Sequence, residues 1–293
     1  MSSNLLGFTV SLSPTPDKQF FNKDIKLKQI IKKDLHINIY YLGQDFKFDQ
    51  EIYFSNYTDS LLDRNIKITL LDNEVIIEND WLGSIPIFYN TKAKIISTFH
   101  DDCIFDNLNL DDVGFSVYSD FGFSGLGTSP FQDINQLRFY STITFSPEGI
   151  FIEEKKDPAL DIIKQDRQSS PEELNKKIQE YFEQNLNMEN EIILPLSGGY
   201  DSRYLAVLLK DYKTRTYTYG YNFLQSFSWE ASNAKRVAKI LNLNWSQVFL
   251  KDSLQWLDEL HNIFGSSTHL HGMYQMEFYS KIKKSPGSYL ISG

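Results

Sequence analysis

Cysteine is almost missing from this sequence: Cys103 is the only one in 293 residues. No disulfide can therefore form within the chain, and the composition suits a reducing compartment. Positive charge is also scarce, with 29 Lys and Arg against 38 Asp and Glu, a formal net charge of −9. Nucleic acid and anionic membrane surfaces are held by clustered Lys and Arg, so neither is an expected partner. No apolar run approaches the roughly 20 residues that a membrane-spanning helix needs. The opening MSSNLLGFTVSLSP lacks a basic start and a long apolar stretch. No cleaved secretory signal is expected there, and a cytoplasmic location is. Repeats and low-complexity segments are absent.

What is present is globular. The chain is 41% apolar and 15% aromatic, enough to build packed cores over a length that accommodates two domains. Residues 1–155 carry short apolar runs rich in β-branched and aromatic residues: HINIYYLG, NIKITLLD, EVIIEND, IPIFYN, AKIISTF, STITFSP and GIFIEE. Asn, Asp, Gly or Pro punctuates them, which predicts strands of a β-rich, layered domain. DKQFFNKDIKLKQIIKKDL follows neither period and remains unassigned. EEKKDPALDIIKQDRQSSP, broken by Pro158 and Pro171, reads as a linker.

From 165 to 293 the pattern changes. Ser170-Pro171-Glu172-Glu173 forms a capping box with Pro at the first helical position. Leu174, Ile178, Phe182 and Leu186 then recur at helical spacing. EIILPL, TRTYTYGY, WSQVFL and SYLISG read as strands, alternating with helical stretches at DSRYLAVLLKDY, SWEASNAKRVAKILNL, DSLQWLDELHNIF and MYQMEFYSKIKK. The fold class expected is α/β, a parallel sheet with helices on both faces, preceded by the β-rich domain.

LPLSGGYDSRYLAVLL, residues 194–209, concentrates the chemistry. It runs from a buried strand through a glycine turn into a helix, at the carboxyl end of a parallel strand where ligands bind. Gly198 and Gly199 have no Cβ, so the backbone there is free to take positive φ and approach a ligand. The helix start offers unpaired N–H groups and the positive end of its dipole to an anion. Ser197 and Ser202 add hydroxyls. Asp201 would repel a bare anion but suits one bridged by Mg²⁺. The alternative is a plain strand-to-helix turn with Asp201 as the helix N-cap.

SGGYDS resembles the SGGxDS signature of the PP-loop ATP pyrophosphatases, and the surrounding sequence is similar to their asparagine synthetase branch. The resemblance covers residues 190–293. It implies a PP-loop (HUP-like) fold, ATP as cofactor, a phosphate cradle of Ser197, Gly198, Gly199 and Ser202, and Asp201 as the Mg²⁺ ligand. TYTYGY resembles the family's second strand, whose end meets adenosine, which points to Tyr219 and Gly220. Glu230, Ala234, Ala238 and Leu241 match the spacing of the helix after it. Pro195 departs from the aliphatic residue usual beside the adenine. SYLISG resembles the strand entering a Ser/Thr-Gly-x-x-x-Asp-Glu turn, so Ser292 and Gly293 are expected near the adenine. By that comparison the catalytic residues are expected beyond Gly293, and the chain is expected to be a fragment or a truncated product. DWLGSIPIFYN, FGFSGLGTSPFQDINQL and STITFSPEGIFI resemble the family's glutaminase domain, which is of the Ntn type. That domain needs a cysteine at position 2, where this chain has Ser2, so a degenerate scaffold without glutaminase activity is expected.

The function that follows is an ATP-dependent amide-forming ligase. It would adenylate a small-molecule or peptide carboxylate, release pyrophosphate, and pass the acyl group to ammonia or an amine. Members acting as β-lactam synthetases or lasso-peptide cyclases, or encoded in surface-polysaccharide clusters, frame the range of acceptors. An inactive nucleotide-binding or scaffold protein is the alternative. Weaker signals are the pair His269 and His271, a half-set of metal ligands or ordinary side chains, and Cys103, a displaced nucleophile or a buried thiol. Asp101-Asp102 and Asp111-Asp112 read as solvated turn acids, and the alternating Tyr217, Tyr219 and Tyr221 as strand packing.

Overall fold

Alternation of apolar and polar residues puts one face of a strand in a core, and that pattern builds the first half of the protein. The computed structural model describes residues 4–16, 18, 20, 23–45, 50–54, 65–105, 109–125, 127–164, 170–219, 227–264 and 272–292. Two units result, one of residues 1–165 with 257–270, the other of 166–256 with 271–293.

The first unit contains β1 (Asn4–Ser11), β2 (Lys26–Lys32), β3 (Leu35–Leu42), β4 (Glu51–Phe54), β5 (Ile66–Leu70), β6 (Val75–Asn79), β7 (Phe88–Asn90) and β8 (Ile95–Ser97). Helix α1 (Asp112–Phe121), strands β9 (Ile134–Gln136), β10 (Ser141–Phe145) and β11 (Ile150–Glu154), and helix α2 (Ala159–Lys164) follow. A six-stranded sheet in the order β2-β3-β1-β8-β7-β9 and a five-stranded sheet in the order β11-β10-β6-β5-β4 are both antiparallel. Phe8, Val10, Ile37 and Ile39 from the first sheet share one core with Phe54, Ile68, Ile77 and Phe145 from the second. Phe8 meets Phe54 edge-on with ring centroids 5.5 Å apart. Asp80 organises the DWLG loop: its carboxylate accepts the N–H groups of Leu82 at 2.8 Å, Ser84 at 3.1 Å and Asn65 at 3.1 Å. Gly83 closes that loop at φ +59°, where a Cβ would also lie 3.2 Å from Phe139 Cβ.

The second unit begins with α3 (Pro171–Asn185), then β12 (Ile192–Pro195), α4 (Tyr200–Leu208), β13 (Thr214–Thr218), α5 (Trp229–Ile240) and β14 (Asn244–Gln247). Helix α6 (Leu257–Phe264) belongs with the first unit, where His261 Nε2 lies 3.0 Å from the Asp101 carboxylate. Helix α7 (Gly272–Lys281) and strand β15 (Tyr289–Leu290) complete the chain. The four strands pair in parallel in the order β14-β13-β12-β15. Ile193 packs on one face with Phe278 and Ile282 around α7. Leu194 and Leu196 pack with Ala206, Ala234 and Ala238 of α4 and α5, and Ile192 with Phe182 of α3. The protein is thus mixed α/β, with two antiparallel sheets and one small parallel sheet covered on both faces. Among the described residues, no helix is long and apolar enough to cross a membrane.

The capping box forms as read: Ser170 Oγ accepts the Glu173 N–H at 3.1 Å and Glu173 Oε2 accepts the Ser170 N–H at 3.3 Å. Pro195 falls on a central strand yet breaks no ladder. It is the last residue of β12, and the next N–H, of Leu196, resumes pairing with the Tyr217 carbonyl at 2.8 Å.

Glu277 of α7 is fully buried. Its carboxylate accepts the Lys251 N–H at 2.7 Å and the Ser253 hydroxyl at 2.6 Å, and pairs with Lys281 Nζ one turn along. Burial pushes its pKa up, but Lys281, Ser253 and the Lys251 N–H outweigh it and hold the group at about 2. An unfolded glutamate titrates near ~4.3, so this stabilisation is complete above that pH and is lost as pH falls toward 2. Glu277→Gln is expected to cost about 2 kcal/mol at pH 7. Melting curves of the two proteins should converge between pH 5 and pH 2, and a gap independent of pH would refute the ionic role.

Candidate functional site

The site grows from the carboxyl end of β12. Pro195 ends the strand, residues 196–199 turn, and α4 starts at Tyr200. The turn is held from inside: Ser202 Oγ accepts the Ser197 N–H at 3.0 Å and lies 2.9 Å from Ser197 Oγ. Ser197 Oγ in turn accepts the Gly199 N–H at 3.1 Å. A second relay fixes the strand end, since Trp245 Nε1 donates to Thr218 Oγ1 at 3.0 Å and that hydroxyl donates to the Leu196 carbonyl at 2.6 Å.

The glycines do not serve through positive φ. Gly199 sits at φ −74° and ψ 165° as the N-cap of α4, and Gly198 is outside the left-handed region as well. Gly198 is favoured by close approach, because a Cβ there would lie 3.3 Å from Glu230 Cα and 3.6 Å from the Trp229 ring. Asp201 is therefore the second helical residue and not the N-cap. Its side chain is exposed and without a partner among the described residues. That position favours an acid through the helix dipole.

Beside the turn opens a cleft of about 270 Å³. Pro195, Ser197, Ser202, Tyr219 and Ser292 line it, as does Glu230 from the first turn of α5. Phe278 and Tyr279 of α7 form an aromatic wall, with Tyr219 and Phe278 centroids 4.7 Å apart. Burial pushes the Tyr279 phenol up in pKa, partly offset by its hydrogen bond with Ser292. The structure thus brings together Pro195, Ser197, Gly198, Gly199, Ser202, Tyr219 and Ser292, three of them from separate strand ends. Asp201 stands on the adjoining helix turn, outside the cleft lining. Gly220 and Gly293 lie outside the described residues, as do Tyr221, His269 and His271.

The sequence marks Glu230 only by its spacing, although it is the one carboxylate in the cleft wall among the described residues. Gln275, Phe278 and Tyr279 were missed because they stand on a helix distant in sequence. No group of three His, Cys, Asp or Glu able to hold a metal exists among the described residues. A cation here would have to share Asp201 with oxygens of a ligand, which suits Mg²⁺ on phosphates.

The other candidates lie in the first unit. Cys103 is fully buried among Phe88, Ile95 and Ile134. Burial, and then the nearby Asp102 carboxylate, push its thiol well above the usual value, so it is an inert core group. The reading of Asp101-Asp102 as solvated acids does not hold. Asp102 accepts from Lys18 Nζ at 2.8 Å and Ser97 Oγ at 2.8 Å, and from the Thr9 hydroxyl, beneath the six-stranded sheet. Asp111 is the N-cap of α1, accepting the Gly114 N–H at 2.7 Å.

No protein-family model and no curated protein matches the chain.

Close approach makes a sharp forecast. Gly198→Ala is expected to cost about 1–2 kcal/mol, because its Cβ must displace the backbone of α5. Gly199→Ala meets only the Ser197 hydroxyl, at 3.2 Å, and should cost under about 1 kcal/mol. Denaturant midpoints of the two variants check the order; equal losses would mean the approach to Glu230 is not limiting.

Proposed function

We propose that the second unit binds ATP with Mg²⁺ and that the chain is an ATP-dependent amide-forming ligase of the asparagine synthetase-like, PP-loop type. One observation carries this reading: the Ser197-Gly198-Gly199 turn enters a helix N-terminus at the carboxyl end of a parallel strand, with Ser202 folded back on it and a cleft alongside. Such a turn suits a pyrophosphate. The aromatic wall of Tyr219, Phe278 and Tyr279 suits a purine, and Pro195 and Ser292 lie at the same end.

In the proposed reaction a substrate carboxylate oxygen attacks the α-phosphorus of ATP and pyrophosphate leaves. Ammonia or an amine then attacks the acyl carbon and AMP leaves. Ser197, Ser202 and the first N–H groups of α4 would hold the departing pyrophosphate, where developing charge is greatest. Asp201 would hold Mg²⁺, whose contribution when bound is to neutralise phosphate charge. The first unit serves in this reading as a glutaminase-like scaffold without that activity, in keeping with the burial of Cys103.

A nucleotide binder without turnover is favoured by a single feature. The cleft wall carries hydroxyls and one carboxylate but no Lys or Arg among the described residues to stabilise the transferred group. Equilibrium dialysis against Mg·ATP, followed by ATP–pyrophosphate exchange, separates the two readings. Asp201→Asn is expected to weaken Mg·ATP binding about tenfold or more with an unchanged melting temperature, since it removes a hard oxygen ligand from an exposed position. Equal affinity in the two proteins would reduce Asp201 to a helix-dipole residue.

A further inference from the structure

The ligase reading leaves one cleft residue without a task. Glu230 is half-buried, stands second in α5 and lines the cleft beside the glycine turn. Its carboxylate has no hydrogen-bond or ion-pair partner among the described residues. It is not needed as a cap, because Ser228 Oγ already accepts the Ala231 N–H. The helix dipole favours an acid at this position, but a carboxylate beside phosphate serves a nucleotide only where a donor of the ligand meets it.

An ionised carboxylate only accepts hydrogen bonds. A nucleotide offers two kinds of donor: the exocyclic amine of the base and the sugar hydroxyls. The sugar is the part that adjoins the phosphates, and Glu230 adjoins the turn, with its Cα and Cβ 3.3 Å and 3.7 Å from where a Cβ on Gly198 would sit. The aromatic wall is supplied from elsewhere, by Tyr219 just after β13 and by α7. We propose that Glu230 accepts a hydrogen bond from the 2′-hydroxyl of the bound nucleotide, making the cleft selective for ribonucleotides over 2′-deoxyribonucleotides. This rests on the nucleotide reading above and deepens it.

The test is calorimetric titration of the full chain with Mg·ATP and with Mg·dATP. The wild-type protein is expected to prefer ATP about tenfold, the value of a charge-assisted hydrogen bond. Glu230→Ala should weaken ATP about tenfold relative to dATP and so abolish the preference; Glu230→Gln, which keeps an acceptor, should retain part of it. Equal wild-type affinity for the two nucleotides overturns the assignment while leaving nucleotide binding intact. So does a Glu230→Ala loss that is equal for ATP and dATP and present only with Mg²⁺, which would make Glu230 a metal ligand. Binding of neither nucleotide to the wild-type protein removes the nucleotide reading and this one with it. The comparison on the wild-type chain needs no variant, so a misfolded substitution cannot mask the answer.

Discussion

Ser202 Oγ, 3.0 Å from the Ser197 N–H and 2.9 Å from the Ser197 hydroxyl, closes the first turn of α4 onto the end of β12. Much of the cleft depends on that closure. It uses a side chain buried in the helix to satisfy a backbone group that a strand-to-helix turn would otherwise orphan. The turn can then be tight, Gly198 can come against Glu230 and Trp229 of α5, and Glu230 joins the cleft lining. The Trp245–Thr218–Leu196 relay performs the same service one residue earlier. A larger or apolar side chain at 202 would release both the turn and the approach of the two helices.

How much of this could be read from residues alone depends on the range of the force involved. The seven apolar runs of the first half became β3, β5, β6, β7, β8, β10 and β11, and in β5, β6, β7 and β10 the alternating burial is a local property of the strand. β2 was illegible for a related reason. It runs Lys26–Lys32 at the edge of its sheet and has no fully buried residue, so its periodicity is diluted by lysines that suit an exposed edge. The capping box of α3 was legible because both of its bonds span three residues. The turn at 197–199 was legible in position but not in mechanism: glycine suggested positive φ, whereas close packing against a helix 30 residues away is what crowds a Cβ at 198.

Charged residues were the least legible. Asp102 and Glu277 look like ordinary surface acids in the sequence, and each is instead the acceptor at the centre of a cluster drawn from distant segments. Burial of a carboxylate is tolerated only when donors replace its water. Those donors, Lys18, Ser97 and Thr9 in one case and Lys251, Ser253 and Lys281 in the other, are assembled by the tertiary fold. No local pattern announces them.

The contrast between Glu277, Asp201 and Glu230 gives the cleft its chemical sense. Glu277 is fully buried and saturated with donors, so its charge is committed to holding α7 against the segment at 251–253. Asp201 is exposed and costs little to leave unpaired, since water solvates it. Glu230 lies between these limits, partly withdrawn from water but without a partner among the described residues. Of the three, it is the one whose environment is incomplete in the free protein. An acceptor in that condition gains from a ligand that brings a donor. The aromatic wall depends on Glu277, whose hydrogen bonds from the Lys251 N–H and the Ser253 hydroxyl hold the helix that carries Phe278 and Tyr279. The committed acid thus positions one wall of the cleft in which the uncommitted acid is available to a ligand.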